Sequence, residues 1–208
     1  APTVRANDRK KCELDTATKE CKANTTTAVG GMMVAFGTGR NVATQDQAST
    51  TVQTVYSVLD NTRYRYRAEA SGVPKRLEIH PGKTCTTGDG EECIDVAAPK
   101  ALGAGVTTAE LLKQTTTEVS GSQQATLGQD PLKATNWGSH NGWYLDLPST
   151  GERLLKPLEF YDNTNILTVW SQVPAKGSNV DATIESCEAG SVDDERQYRT
   201  FINIMDGA

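Results

Sequence analysis

The chain has 208 residues, a formal net charge of −5 and a pI near 5.1. An acidic chain lacks the basic face that nucleic-acid binding requires, and no run of about 18 apolar residues is present to cross a membrane. We therefore expect neither a nucleic-acid partner nor a membrane span. The 27 threonines favour an all-β fold, because β-branched side chains suit a half-exposed pleated surface.

The N-terminal half is predicted to contain one β-unit and a long insertion. Residues 1–30 are an irregular segment with a disulfide hairpin. Residues 31–69 form the first β-unit, which includes the alternating run "RYRYRAE". Residues 70–136 are a loop-rich insertion with one short helix at "TTAELLKQT", where Thr107 can cap the helix and Glu110 can reach back to it.

Residues 137–208 are predicted to form a second, four-stranded β-unit. Its strands are the apolar runs in "GWYLDLP", "RLLKPLEFY", "NILTVWSQV" and "YRTFINIMDG", separated by turn signals. Four short strands at this spacing are typical of a propeller blade or one sheet of a sandwich.

Four of the five cysteines lie in two closely spaced pairs within polar, turn-rich segments. We predict hairpin disulfides Cys12–Cys21 and Cys85–Cys93, which imply an oxidising compartment. Free thiols and zinc are the alternatives, although the Cys-x-x-Cys pairs usual in zinc knuckles are absent. Cys187 is left unpaired, either as a buried thiol or as the partner of a cysteine outside this chain.

The glycine-rich stretch "FGTGR" allows two interpretations, a phosphate cradle or a strand-ending turn. A dinucleotide fingerprint needs a third small residue and a following helix, but Val42 stands after Asn41 and "NVATQDQAST" reads as a loop. We therefore predict that Gly37 and Gly39 form a tight or positive-φ turn, that Arg40 pairs with a nearby carboxylate or carbonyl, and that no nucleotide binds.

Catalytic and metal sites are not predicted. His80 and His140 lie in loops without a nucleophile elbow, so we expect surface histidines. Asp181, Glu185 and Glu188 with "GSVDDER" form an acidic loop, for which a metal cage is the alternative to a solvated surface.

The aromatic cluster near residue 140 is divided between core and surface. Strand alternation places Trp143 with Leu145 on the inner face and Tyr144 with Asp146 on the other. Trp137 lies in a loop and is the candidate contact for a glycan or a protein.

Seven short motifs, in order, resemble one known family. They are "FGTGR", "TVYSVLDN", "LLKQT", "GWYLDLP", "GERLLKPLEF", "VWSQVP" and "FINIMDG". In this order they are similar to the C-terminal β-propeller of the PilC/PilY family of type IV pilus biogenesis factors and tip adhesins, over about residues 28–206. The residues that carry the resemblance are Phe36, Gly37, Gly39, Arg40, Tyr56, Asp60, Trp143, Tyr144, Asp146, Gly151, Glu152 and Arg153.

This resemblance implies a non-enzymatic, extracellular protein of the pilus, exported through an oxidising periplasm and acting by binding. An Ala-Pro start without Met fits a mature product. The implied partners are the upstream part of the same adhesin, pilin or minor pilin subunits, copies of itself, and host or abiotic surfaces. The family's calcium loop lies upstream, and "YDNTNI" lacks its acidic spacing and glycine, so no cofactor is expected within this chain.

The chain matches only the last part of that propeller, as about two antiparallel blades of an incomplete ring. Since two blades cannot close a ring, we expect apolar residues such as Leu155, Leu158, Ile166 and Val169 to face another protein. The alternative functions are a quinone-dependent enzyme on a propeller scaffold and a structural subunit of an extracellular fibre. The enzyme requires a central ligand site with positioned charges and a metal, which the sequence does not supply.

Overall fold

The fold was derived from a computed structural model of the chain. The structure describes residues 2–39, 46, 49–62, 64–67, 76–79, 110–118, 125–128, 131–137, 139–174 and 195–208. The chain divides into two compact units. Unit 1 comprises Ala1–Leu59 and Thr108–Ala208, and unit 2 comprises Asp60–Thr107.

The first sheet of unit 1 has five described strands. In their order across the sheet they are β1 (Thr3–Ala6), β4 (Met32–Gly37), β5 (Thr54–Asp60), β11 (Gly142–Asp146) and β8 (Leu112–Gln114). β1 pairs antiparallel with β4, and β11 pairs antiparallel with β5 but parallel with β8. Strands distant in sequence are therefore neighbours in this sheet.

The second sheet of unit 1 is built around one long central strand. Its strands are β12 (Arg153–Leu154), β13 (Glu159–Phe160), β14 (Ile166–Val173) and β15 (Arg196–Asn203). β12 and β13 pair with the C-terminal and N-terminal parts of β14, while β15 pairs along its whole length. All of these pairings are antiparallel.

The described residues also form three two-stranded sheets. They pair β2 (Lys10–Lys11) with β3 (Thr27–Ala28), β6 (Tyr64–Arg67) with β7 (Arg76–Ile79), and β9 (Thr116–Glu118) with β10 (Ala125–Leu127). The β6–β7 hairpin belongs to unit 2. Between β2 and β3, the predicted disulfide Cys12–Cys21 is present, with the two Cα atoms 5.5 Å apart.

The two sheets share one hydrophobic core. The first sheet contributes Met33, Ala35, Val55, Trp143 and Leu145, and the second contributes Leu167, Val169 and Ile202, while Leu132, Trp137, Leu147, Leu158, Ile204 and Met205 complete the cluster. Within it, the backbone carbonyl of Ile204 accepts hydrogen bonds from Trp143 Nε1 at 3.0 Å and Ser57 Oγ at 2.7 Å. These two side-chain bonds tie the C-terminal segment to the first sheet.

The all-β prediction is confirmed, since strands dominate the described residues and helical backbone there is confined to Asp46 and Glu110. No described helix has the length and apolar character needed to cross a membrane. The short helix predicted near Glu110 is wrong over Leu112–Gln114, which forms β8 instead. Pairing with β11 buries Gln114 and outweighs the weak helical preference of so short a segment.

Two further expectations differ from the structure. The "GWYLDLP" run pairs with β5 and β8 rather than with the three runs that follow it. Leu158 and Val169 are buried between the sheets, so the prediction that they face another protein is wrong, whereas Leu155 is 37% exposed. The first sheet of the same chain therefore covers the apolar face of the second sheet.

We predict that Ser57→Ala lowers the free energy of unfolding by about 0.5–1.5 kcal/mol. The Ile204 carbonyl then keeps its bond from Trp143 and is not left unsatisfied. Urea denaturation followed by tryptophan fluorescence measures the loss. Ser139→Ala, at an exposed serine that donates to the Asn136 carbonyl, is the matched control and should change stability by less than about 0.5 kcal/mol. Equal stability of the Ser57→Ala variant and the wild type would contradict this role.

Candidate binding face

A row of three aromatic side chains crosses the outer face of the first sheet. Phe36, Tyr56 and Tyr144 come from the adjacent strands β4, β5 and β11, and we call them the aromatic row. Their ring centroids are 5.3 Å and 6.2 Å apart, with interplanar angles of 23° and 27°. Strand alternation explains the row, because Ala35 before Phe36 and both neighbours of each tyrosine along the strand are buried on the opposite face. Phe36 is 39% exposed at one end, so the row is open to a partner.

An ion pair lies at the other end of the aromatic row. Lys113 Nζ is 2.7 Å from Asp146 Oδ2 and 5.7 Å from the Tyr144 ring centroid. Thr54 Oγ1 donates to Asp146 Oδ1 at 2.8 Å. The hydrogen bond with Asp146, followed by its charge, raises the pKa of Lys113. Burial alone would raise the pKa of Asp146, but hydrogen bonds from Lys113 and Thr54 and the charge of Lys113 outweigh it and lower that pKa.

An open groove adjoins Phe36. It has a volume of about 410 Å³ and is lined by Pro2, Phe36, Gly37 and residues 154–158. Its lining residues other than Lys156 are apolar in type, but polar atoms form slightly more than half of its surface. The groove leads from the exposed end of the aromatic row to the edge of the second sheet.

The FGTG and GER motifs pack directly against each other. Gly37 ends β4, and a Cβ at this position would overlap the Leu154 side chain. Gly39 has a φ of 118°, and a Cβ there would lie 2.8 Å from the Cβ of Arg153. The predicted positive φ is therefore present at Gly39, and Gly37 is not among the positive-φ glycines of the described residues. Arg40 lies outside the described residues, and Asp46 within the expected loop has helical backbone, so a loop throughout this stretch is not confirmed.

Glu152 and Arg153 are buried parts of the scaffold. Glu152 Oε2 accepts the backbone N–H of Ser149 at 3.0 Å, and Oε1 accepts the Ser171 hydroxyl at 2.5 Å. Arg153 donates to the carbonyls of Gly151, Asp46 and Ser49. These contacts fasten the segment that follows FGTG to the beginning of the second sheet.

The remaining residues singled out by the sequence motifs lie in turns, at the end of a strand or in the core. Asp60 Oδ1 accepts the backbone N–H of Thr62 at 2.9 Å, and Gly151 has a positive φ of 76°. Trp143 is fully buried, as predicted. The prediction that Trp137 is an exposed contact is wrong, because its side chain is only 6% exposed and packs in the core. His140 Nδ1 lies 3.0 Å from Ser139 Oγ in a turn.

Several predicted features lie outside the described residues. They are Arg40, His80, Cys85, Cys93, Cys187 and the acidic loop with Asp181, Glu185 and Glu188. Over the described ranges, no group of three or more His, Cys, Asp or Glu side chains could hold a metal ion.

The sequence motifs contain Phe36, Tyr56, Tyr144 and Asp146, but they do not show that these residues lie together. The role of Lys113 is not predictable from the motifs, because the capping signals around it favour a helix. The alternation of Leu112, Lys113 and Gln114 carried the strand signal, but three residues are too few to separate the two periods.

Comparison of the chain with protein-family models, with curated proteins and with solved structures finds no match in any of the three.

We predict that Asp146→Asn removes a stabilisation of a few tenths to about 1 kcal/mol, the usual size for a partly exposed ion pair. Because the pKa of Asp146 is lowered, the contribution is fully present above the ordinary value of 3.8 and is lost as the pH falls through the lowered value. The raised pKa of Lys113 keeps the contribution present below 10.5 and removes it as the pH rises through the raised value.

Urea denaturation of the wild type and Asp146→Asn at a series of pH values checks this profile. The difference in unfolding free energy between the wild type and Asp146→Asn should be constant near neutral pH and should become smaller in acid. Asp8→Asn, at an exposed carboxylate, is the control and should show no such narrowing relative to the wild type. A difference that stays constant down to pH 2 would contradict the assignment.

We predict that Gly39→Ala destabilises the protein by about 1–3 kcal/mol, because a side chain is strained at this positive φ and crowds Arg153. A thermal melt followed by circular dichroism measures the change. An unchanged midpoint would show that the turn relaxes without loss and would contradict the close packing of the two motifs.

Proposed function

We propose that this chain is a non-enzymatic, extracellular binding protein, part of a type IV pilus-associated adhesin or assembly factor. The observation that carries the proposal is the aromatic row on the outer face of the first sheet, which is exposed at Phe36 and half-buried at Tyr56 and Tyr144. Aromatic side chains supply large contact area at little conformational cost and are enriched at binding hot spots. The groove beside Phe36 extends this surface.

The scaffold supports a binding role. The aromatic row is held by regular strands, by ring stacking and by the Lys113–Asp146 pair, so little ordering is needed when a partner docks. The Cys12–Cys21 disulfide fits an oxidising compartment. The ordered motifs similar to the PilC/PilY propeller supply the pilus assignment. In this proposal the two sheets correspond to propeller blades that share a core.

Binding of the full chain to purified type IV pili of the same organism tests the proposal. Surface plasmon resonance should show saturable binding, and Phe36→Ser should weaken it by about tenfold, the scale of an aromatic hot spot. Leu14→Ser, at an exposed apolar residue in the loop closed by the Cys12–Cys21 disulfide, is the matched control and should leave the affinity within about twofold of wild type.

Absence of saturable binding to pili would overturn the pilus assignment, and equal loss in both variants would overturn the role of the aromatic row. Metal analysis and absorption spectroscopy of the purified protein address the enzyme alternative. A stoichiometric quinone with a metal ion would contradict the non-enzymatic proposal.

A further inference from the structure

A second exposed aromatic surface lies on the outer face of the second sheet. It consists of Lys156, Tyr161, Trp170, Arg199 and Phe201, which we call the cation-stacked face. Tyr161 is 50% and Phe201 43% exposed, and Trp170 is half-buried. In the register of β14 and β15, Arg199 is opposite Trp170 and Phe201 is opposite Thr168, so both project to the same side as the indole.

The two cations of this face are stacked on aromatic rings. Lys156 Nζ is 5.3 Å and Arg199 Cζ 5.1 Å from the Trp170 ring centroid. Arg199 Cζ is also 4.5 Å from the centroid of Phe201, whose ring meets Tyr161 edge-on at 5.5 Å. A guanidinium in contact with two rings has lost much of its side-chain freedom before any partner arrives.

The hydrogen-bonding capacity of these cations is unused within the described residues. Neither Lys156 nor Arg199 has an ion pair or a side-chain hydrogen bond there, although each contacts an aromatic ring. Ring stacking uses the flat face of a guanidinium and leaves its N–H edge available to a carboxylate. Glu159 of β13, opposite Thr168, is the acidic residue nearest in register on this face and forms no ion pair with either cation.

We propose that the cation-stacked face docks an acidic segment of a partner protein. A partner carboxylate binds the N–H edge of Arg199 in a bidentate pair, and a second carboxylate binds Lys156. Apolar side chains between them cover Trp170 and Phe201. Charge complementarity carries this choice, since two fixed cations on a chain of net charge −5 form a local site of opposite sign.

An acidic peptide fits better than an anionic glycan because it supplies planar carboxylates and apolar side chains together. This inference does not rest on the proposed pilus function, and it concerns the other sheet.

The probe is a synthetic peptide, acetyl-Gly-Glu-Val-Asp-Leu-Glu-Gly-amide, titrated into the full chain at low ionic strength. NMR should show a saturable shift of the Trp170 indole N–H that weakens as salt is added. The same peptide with Gln and Asn in place of Glu and Asp should bind at least about tenfold more weakly.

The variants are chosen to separate a specific site from general attraction. Arg199→Ala and Arg199→Lys should each weaken binding by about tenfold, since lysine keeps the charge but loses the planar fork. Arg196→Ala, three residues earlier on the same strand and without an aromatic contact, is the charge-matched control and should change affinity less than twofold. Lys156→Ala tests the second cation without altering β15 and should also weaken binding.

Three results would overturn the proposal. One is equal weakening by Arg196→Ala and by Arg199→Ala, which indicates non-specific attraction. Another is unchanged affinity in both Arg199→Lys and Lys156→Ala. The third is saturable binding of a sulfated oligosaccharide at Trp170 with none of the acidic peptide.

Discussion

The carbonyl of Ile204 accepts two hydrogen bonds from the opposite sheet, and the packing of unit 1 depends on this junction. The donors, Trp143 Nε1 and Ser57 Oγ, both point into the core, where an unpaired polar group would be costly. The two bonds hold the C-terminal segment against the inner face of the first sheet. Nearby, the ion pair of Arg9 with Asp206 at 2.5 Å holds the end of the same segment to the N-terminal region.

The close packing of Gly37 and Gly39 explains why the FGTG stretch can resemble a phosphate-binding loop. Glycines permit close backbone approach whether the neighbour is a pyrophosphate or another protein segment. Here the neighbour is the segment that contains Arg153 and Leu154. The Arg153 side chain donates hydrogen bonds to three backbone carbonyls, so its role here is to stabilise the fold.

Strand alternation was readable from the sequence, whereas strand pairing was not. The period of two in "GWYLDLP" correctly separates Trp143 and Leu145 from Tyr144. Nothing local to that run identifies β5 as its neighbour, because the partner Ser57 lies far away in the sequence. A related reason explains the wrong prediction for Trp137. A position in a loop usually predicts exposure, but here the loop directs the indole into the core cluster. The aromatic row depends on two such pairings, β4 with β5 and β5 with β11, so the sequence motifs contain its members but do not show that they are continuous.

The outer faces of the two sheets solve the same physical problem in similar ways. Exposed aromatic rings promote non-specific association, and both faces place cations over them: Lys113 over Tyr144 on the first sheet, and Lys156 and Arg199 over Trp170 on the second. The difference lies in charge balance. Lys113 is paired with Asp146, which leaves an apolar row, while Lys156 and Arg199 form no ion pair with any described residue. A ring beside a neutralised cation selects partners by shape and apolar area, and a ring beside a free cation also selects by charge. In the two proposals, one small scaffold therefore offers two chemically different surfaces, which share Lys156, because this residue also lines the groove beside Phe36.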